Sequence, residues 1–175
     1  ATRILWDKGV GEFVEAARSL KLAVPEVRFI LVGEPDLDNP ASVPKTTLKA
    51  WQEDNVVEWW GHSDAMAKIF QMAHVVCLPS YREGLPKVLI EAAACGKPIV
   101  TTDVPGCREV VRDGDNGLLV PVRDSKALAS ALLRLIENSE LRTEMGKRSR
   151  EIALAEFSSE HIIAQTLDIY KELVE

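Results

Sequence analysis

The sequence predicts an α/β domain: a doubly wound, Rossmann-like parallel sheet with helices on both faces. Three observations carry the prediction. Short apolar, β-branched runs alternate with segments of helical periodicity. The runs are apolar throughout, as in strands covered on both faces. Several of them stop at a Gly or Pro, after which a capped helix begins.

In chain order, Ile4-Leu5-Trp6 is expected to be the stub of a first strand. Residues 10–22 form a helix with Phe13, Val14, Ala17 and Leu20 on one face. Val27-Arg28-Phe29-Ile30-Leu31-Val32 is a strand ending at Gly33. Residues 36–44, with Pro35, Pro40 and Pro44 flanking, interrupting and ending them, form a surface loop. Val56-Val57-Glu58-Trp59-Trp60 is a strand ending at Gly61. Ser63 caps a helix over 64–73, and Asp64 in its first turn complements the helix dipole. His74-Val75-Val76-Cys77-Leu78 is a strand ending at Pro79. A helix over 87–95 stops at Gly96, with Pro98 beyond. Pro98-Ile99-Val100-Thr101 and Gly117-Leu118-Leu119-Val120 are strands. Asp124 caps a helix over 126–137, and Ser158 caps a last helix over 159–173 with Ile162, Ile163, Leu167 and Tyr170 at helical spacing. The alternation implies right-handed crossovers.

Length and composition bound the function. The 175 residues suit a single domain, 1–175, and a hydrophobic share of 46% suffices for a core. A net charge of −6 argues against nucleic-acid partners and against an anionic membrane surface. No stretch approaches the roughly 18 apolar residues of a membrane span, so direct insertion is not expected. No signal peptide is apparent, and the chain opens in mid-pattern at Ala1-Thr2-Arg3 without an initiator Met, as a piece of a longer protein would. Cys77, Cys95 and Cys107 are odd in number and widely spaced. They are expected to be reduced thiols of a cytoplasmic protein, neither a disulfide frame nor a zinc site. No His–carboxylate pair stands ready to activate any of them as a nucleophile.

In doubly wound sheets ligands bind beyond the carboxyl ends of the strands. The unusual loops fall there: Gly33-Glu34-Pro35, Gly61-His62-Ser63, residues 79–86 and residues 102–108. The loop Pro79-Ser80-Tyr81-Arg82-Glu83-Gly84-Leu85-Pro86 joins a strand to a helix. Pro86 suits the first turn, where a missing N–H is harmless, and Gly84 permits close approach. The free N–H groups of such a helix start form an anion site suited to phosphate. Glu83 at its mouth and Glu91 one turn into the helix could accept paired hydrogen bonds from sugar or ribose hydroxyls. Local physics leaves a plainer alternative open: Glu91 as a surface partner of Lys87, and Glu83 as a favourable charge at a helix N-terminus.

Glu83 and Glu91, inside Pro-Ser-Tyr-Arg-Glu-Gly-Leu-Pro-Lys-Val-Leu-Ile-Glu-Ala-Ala-Ala-Cys-Gly-Lys-Pro-Ile-Val, resemble the E-x7-E signature of retaining glycosyltransferases of family 4, the GT-B type. The resemblance extends over nearly the whole chain. Arg3-Ile4-Leu5-Trp6-Asp7-Lys8-Gly9 resembles the family's Arg…Lys-Gly phosphate motif. Val32-Gly33-Glu34, Trp60-Gly61-His62, Thr102-Asp103-Val104-Pro105-Gly106-Cys107-Arg108-Glu109 and Gly114-Asp115-Asn116-Gly117-Leu118-Leu119-Val120-Pro121 stand where the family has comparable segments. The fit resembles most closely bacterial enzymes that extend lipid-linked or surface polysaccharides, with UDP-linked N-acetylhexosamines as favoured donors.

The resemblance implies roles. Arg3 and Lys8 would contact the donor diphosphate, Glu83 would hold the donor sugar, and Glu91 would bind the ribose. Gly84 and Leu85 would offer backbone N–H groups, Gly61 and His62 would border the base, and Glu34 would edge the nucleotide pocket. No metal or other cofactor is expected. The partners implied are a nucleotide-sugar donor, the protein's own N-terminal domain, and an acceptor glycan or lipid-linked sugar brought by that domain at the inner face of the membrane. The last helix resembles the segment that crosses back to that domain, so its apolar stripe would be partly exposed. Two departures stand out: the family's full first strand is here a stub, and Thr2 stands where glycine is common. The neighbouring strands would then be covered by another segment or by a second copy of the chain. Competing classes are a non-catalytic nucleotide-binding module, a GT-B sugar 2-epimerase, and a flavodoxin-like signalling domain. The last would need an acidic cluster at the first strand end, where Asp7 stands alone.

Overall fold

The computed structural model describes residues 2–174, and side chains within residues 3–172. Every strand pairing in it is parallel. β1 (Thr2–Arg3) pairs with β3 (Gly33–Glu34), and β2 (Ile30–Leu31) pairs with β4 (Glu58–Trp59). β2 and β3 are one strand interrupted at Val32. Gly33 is held from both sides, because Thr2 pairs with it and its N–H donates to Gly61 O at 2.7 Å. The second group is β5 (Val76–Leu78), β6 (Ile99–Thr102) and β7 (Gly117–Val120), in that order.

The helices are α1 (Val10–Ala23), α2 (Lys45–Glu53), α3 (Met66–Met72), α4 (Lys87–Ala94), α5 (Pro105–Arg108), α6 (Ser125–Glu137), α7 (Ser139–Glu156) and α8 (Ser159–Val174). They lie on both faces of the sheet, as expected. The central strand β6 shows why. Val100 packs into a core with Val14, Leu20, Leu128 and Leu132 from α1 and α6. Its neighbour Ile99 points the other way, into a core with Leu89, Ala92 and Ala93 of α4 and Ala153 of α7. Successive strand residues face opposite layers, so a strand buried on both sides carries apolar residues or, as at Thr101 and Thr102, hydroxyls that are hydrogen-bonded.

Most of the expected elements form, with shifted ends. The strand expected over 56–60 reduces to β4, because the left-handed Asn55 turns the chain out of α2 and Val56 bonds back to Trp51 O. The helix expected over 64–73 starts later, at Met66. Ser63 Oγ accepts from Ala65 N at 3.1 Å, which closes a local turn instead of capping the helix. His74 is exposed ahead of β5, so it does not open that strand. Asp124 caps α6 as expected, accepting from Ala127 N at 2.8 Å. Ser158 Oγ accepts from His161 N at 3.3 Å at the start of α8. Helices α2, α5 and α7 were not anticipated. The apolar stripe of α8 is exposed at Ile162, Ile163, Leu167 and Tyr170. No helix among the described residues is long and apolar enough to cross a membrane.

The two strand groups meet at their carboxyl ends. Gly9 is left-handed at φ 70°, and a Cβ there would lie 2.0 Å from Pro79 O, so the turn after β1 and the loop after β5 touch through backbone. Further back, a cavity of about 590 Å³ separates residues 27–32 from residues 74–78. Its lining is mainly apolar, with Phe29, Leu31, Val75, Cys77, Phe70 and Leu132. Among the described residues, β2 pairs only with β4 and β5 only with β6, so each turns an open edge toward this cavity.

Candidate functional site

The site forms where these carboxyl ends converge. A short 3-10 turn, Trp6–Lys8, follows β1 and delivers Lys8. The loop after β5 delivers Glu83. Lys8 Nζ donates to Glu83 Oε1 at 2.7 Å across 75 positions of sequence, with only 22% and 13% of the two side chains exposed. A part-buried pair of this geometry is a charge-assisted hydrogen bond, stronger than an ordinary surface ion pair.

Backbone contacts fix the Glu83 loop. Tyr81 N–H donates to Asp7 O at 2.9 Å, and Thr102 Oγ1 donates to Ser80 O. A Cβ on Gly106 would fall 2.1 Å from Gly84 O and 2.5 Å from Glu83 O, so only glycine lets α5 pack so closely beneath the loop. Above it, a Cβ on Gly84 would meet nothing within 4 Å. The N–H groups of Gly84 and Leu85 donate to no protein acceptor among the described residues. Leu85 is 54% exposed. The loop is therefore braced below and open above, just ahead of α4, whose positive end an anion would meet.

The remaining expected residues are dispersed around this point. Glu91 lies one turn into α4, exposed, and its side chain makes no hydrogen bond or ion pair among the described residues. The plainer reading, a Lys87–Glu91 pair, is not formed. Arg3 Nη1 donates to Asp36 Oδ2 at 2.9 Å, on an exposed part of the same rim. Glu34 and Gly61 are adjacent: a Cβ on Gly61 would lie 3.0 Å from Glu34 Oε1, and Glu34 Oε2 is 3.6 Å from Lys45 Nζ. His62 is exposed and sits 3.0 Å from Asp64 Oδ1. The structure thus joins Lys8 to Glu83 and Glu34 to Gly61, and leaves Glu91 unpaired. No group of three or more His, Cys, Asp or Glu among the described residues is placed to hold a metal.

Three site-lining residues escaped the sequence reading: Glu12, Tyr81 and Arg123. Tyr81 OH donates to Glu12 Oε1 at 2.6 Å, and the Arg123 guanidinium lies over the Tyr81 ring at 4.7 Å. Burial, then the Glu12 carboxylate, pushes the Tyr81 phenol above its ordinary value. No local pattern could reveal this group, since its members come from three separate segments. The cysteines are free. Burial pushes the thiols of Cys77 and Cys107 upward, away from the thiolate form a nucleophile needs.

Comparisons with known proteins place the chain in a family. The family described as "Glycosyl transferases group 1" matches residues 1–152. The N,N'-diacetylbacillosaminyl-diphospho-undecaprenol alpha-1,3-N-acetylgalactosaminyltransferase of Campylobacter jejuni is 35% identical over 173 residues, 98% of this chain and 43% of that protein. The N-acetyl-alpha-D-glucosaminyl L-malate synthase of Bacillus anthracis is 32% identical over 169 residues, covering 95% and 43%. Among solved structures, Anabaena Alr3699/HepE in complex with UDP superposes with a TM-score of 0.86 at 25% identity, covering 98% of this chain and 47% of that one. Sucrose-phosphate synthase of Thermosynechococcus elongatus gives a TM-score of 0.85 at 30% identity, covering 99% and 44%. The chain spans less than half the length of each of these proteins.

Proposed function

The chain belongs to the group 1 glycosyl transferases of GT-B type, and from that premise we propose that it is the donor-binding half of a retaining enzyme of family 4. Such an enzyme moves a sugar from a nucleoside diphosphate sugar to an acceptor hydroxyl. The Lys8–Glu83 pair carries the reading. A cation and a carboxylate meet beside an open backbone anion site at a helix start, which is what a charged diphosphate joined to a polyhydroxyl sugar requires.

In this proposal Lys8, with Arg3, takes the charge that grows on the diphosphate as its bond to the sugar breaks. Fixed cations do this without reorganising, so no metal is assigned. Glu83 accepts hydrogen bonds from the sugar, Gly84 and Leu85 donate backbone N–H groups, and Glu91 holds the ribose. Gly61 and His62 border the base, and Glu34 edges the pocket. UDP is the favoured carrier and an N-acetylhexosamine the favoured sugar, because relatives include an N-acetylgalactosaminyltransferase and a neighbour binds UDP. The acceptor, a glycan or lipid-linked sugar, is assigned to an N-terminal domain, with the enzyme cytoplasmic. We also propose that a further strand, from an adjoining segment or a second copy, fills the cavity between β2 and β5. A monomeric mass combined with rapid amide exchange along the facing edges of β2 and β5, in a chain carrying the adjoining segment, would count against that strand.

The deciding experiment is a thermal-shift panel of UDP-, GDP- and ADP-sugars. At a concentration about 100 times Kd, the right carrier should stabilise the chain by about 2.7 kcal/mol. A flat response to all three would remove the donor-binding reading.

A further inference from the structure

We propose that Tyr81 is a positioning residue, clamped between the Glu12 carboxylate and the Arg123 guanidinium so that its loop presents Glu83 to Lys8. The proposal rests on the donor-site reading above and adds to it the device that sets the geometry. Each part of the clamp comes from a different element. Glu12 stands in the first turn of α1, just after Lys8 and Gly9. Tyr81 stands two residues before Glu83. Arg123 follows β7, left-handed at φ 57°, immediately before the Asp124 cap of α6.

The contacts hold Tyr81 at three points. Its hydroxyl donates to Glu12 Oε1 at 2.6 Å. Its ring lies under Arg123 at 4.7 Å, where a cation meets the negative face of the aromatic system. Its backbone N–H donates to Asp7 O at 2.9 Å, in the turn that carries Lys8. Glu12 Oε2 is buried without a hydrogen-bond partner among the described residues. The phenol is therefore the hydrogen bond that compensates burial of this carboxylate, and losing it leaves a charged group unsatisfied. The same residue that satisfies Glu12 fixes the backbone leading to Glu83. Loosening the clamp should release Glu83 from Lys8 while the two cores, which share none of these side chains, stay packed.

The test uses Tyr81→Phe, which keeps the ring, with Glu12→Ala and Glu12→Gln. Without ligand, acetylation of each lysine is timed by mass spectrometry. Lys8 is expected to react at least about threefold faster in Tyr81→Phe and Glu12→Ala, with the other lysines unchanged. Glu12→Gln, which still accepts from the phenol, should return Lys8 to the wild-type rate. With ligand, titrations of UDP and of UDP-N-acetylglucosamine give the affinity gained from the sugar. Tyr81→Phe should shrink that gain about threefold or more while UDP alone binds no more weakly, since Glu83 then competes less for Lys8, and should do nothing further in a Glu83→Gln background. An unchanged Lys8 rate in Tyr81→Phe, or equal acceleration at all lysines, overturns the clamp. Failure of the wild-type chain to bind any nucleotide would instead sink the donor-site reading, and the Lys8 rates would still decide the clamp.

Discussion

Lys8 and Glu83 occupy each other in this structure, so on the proposed reading a donor has to part them. UDP brings a diphosphate that competes with Glu83 for Lys8, so Glu83→Gln should bind UDP more tightly than wild type. The same change should remove the affinity added by an attached sugar, since the sugar's carboxylate partner is gone. Calorimetric titration with both ligands reads the two signs at once, and a matched loss for both would refute the competition. If Glu91 holds the ribose as proposed, Glu91→Ala should weaken UDP by roughly tenfold, with no loss of fold, because its side chain is exposed and its carboxylate makes no hydrogen bond or ion pair among the described residues. Another residue pair reports pH. Arg28 forms hydrogen bonds of 2.7 Å to both oxygens of Glu58 and holds its carboxyl down to about 2 from an ordinary 4.5. A lowered folded value means the pair stabilises the fold above about pH 4.5 and loses that contribution as pH falls toward 2. Both side chains are more than a third exposed, so solvent screening keeps the effect small. The stability difference between wild type and Glu58→Gln, followed by urea melts, should be greatest near neutrality and vanish near pH 2.

At the scale of elements, α4 is the piece on which the site depends. Its outer face carries Glu91 and its inner face buries Leu89, Ala92 and Ala93 against β5, β6 and α7. Leu89 is fully buried. Leu89→Ala should cost about 2–5 kcal/mol in a denaturant melt, the range for a large apolar side chain removed from a tight core. A cost below 1 kcal/mol would show that α4 is not anchored there. The elements missed in the sequence share a cause. α7 has charged residues through much of its length and buries only a narrow line at Met145, Gly146, Ser149, Ile152 and Ala153. Gly146 sits there because a Cβ would lie 2.4 Å from Gly96 O at the end of α4. A stripe built from small residues carries little hydrophobic signal. α2 is nine residues long, starts directly after Pro44 without a side-chain cap and buries Leu48 alone, so no start signal set it apart from the proline-rich loop before it.

For the whole molecule, the proposed division between a donor-binding half and an N-terminal acceptor domain sets the expectation. This chain covers less than half of each relative compared. It should bind nucleotide weakly and transfer no sugar, because the acceptor side of the cleft is assigned elsewhere. Sugar release or transfer by the purified 175-residue chain would contradict that division of labour. The exposed Ile162, Ile163, Leu167 and Tyr170 of α8 are in keeping with a surface that another domain covers.

The sequence alone determined the class of fold, because strands buried on both faces read as short runs of apolar and β-branched residues, visible locally at β2, β5, β6 and β7. It also determined the loop that carries Glu83, through Pro79, Gly84 and Pro86 around a strand-to-helix turn, and its resemblance to glycosyltransferases. Tertiary structure decided which of those residues meet. The Lys8–Glu83 bond spans 75 positions, the Tyr81–Glu12 bond 69, and Gly106 proves indispensable only once its distance to Gly84 is known. Contacts of that separation depend on how helices close over the sheet, and no neighbouring residues encode them.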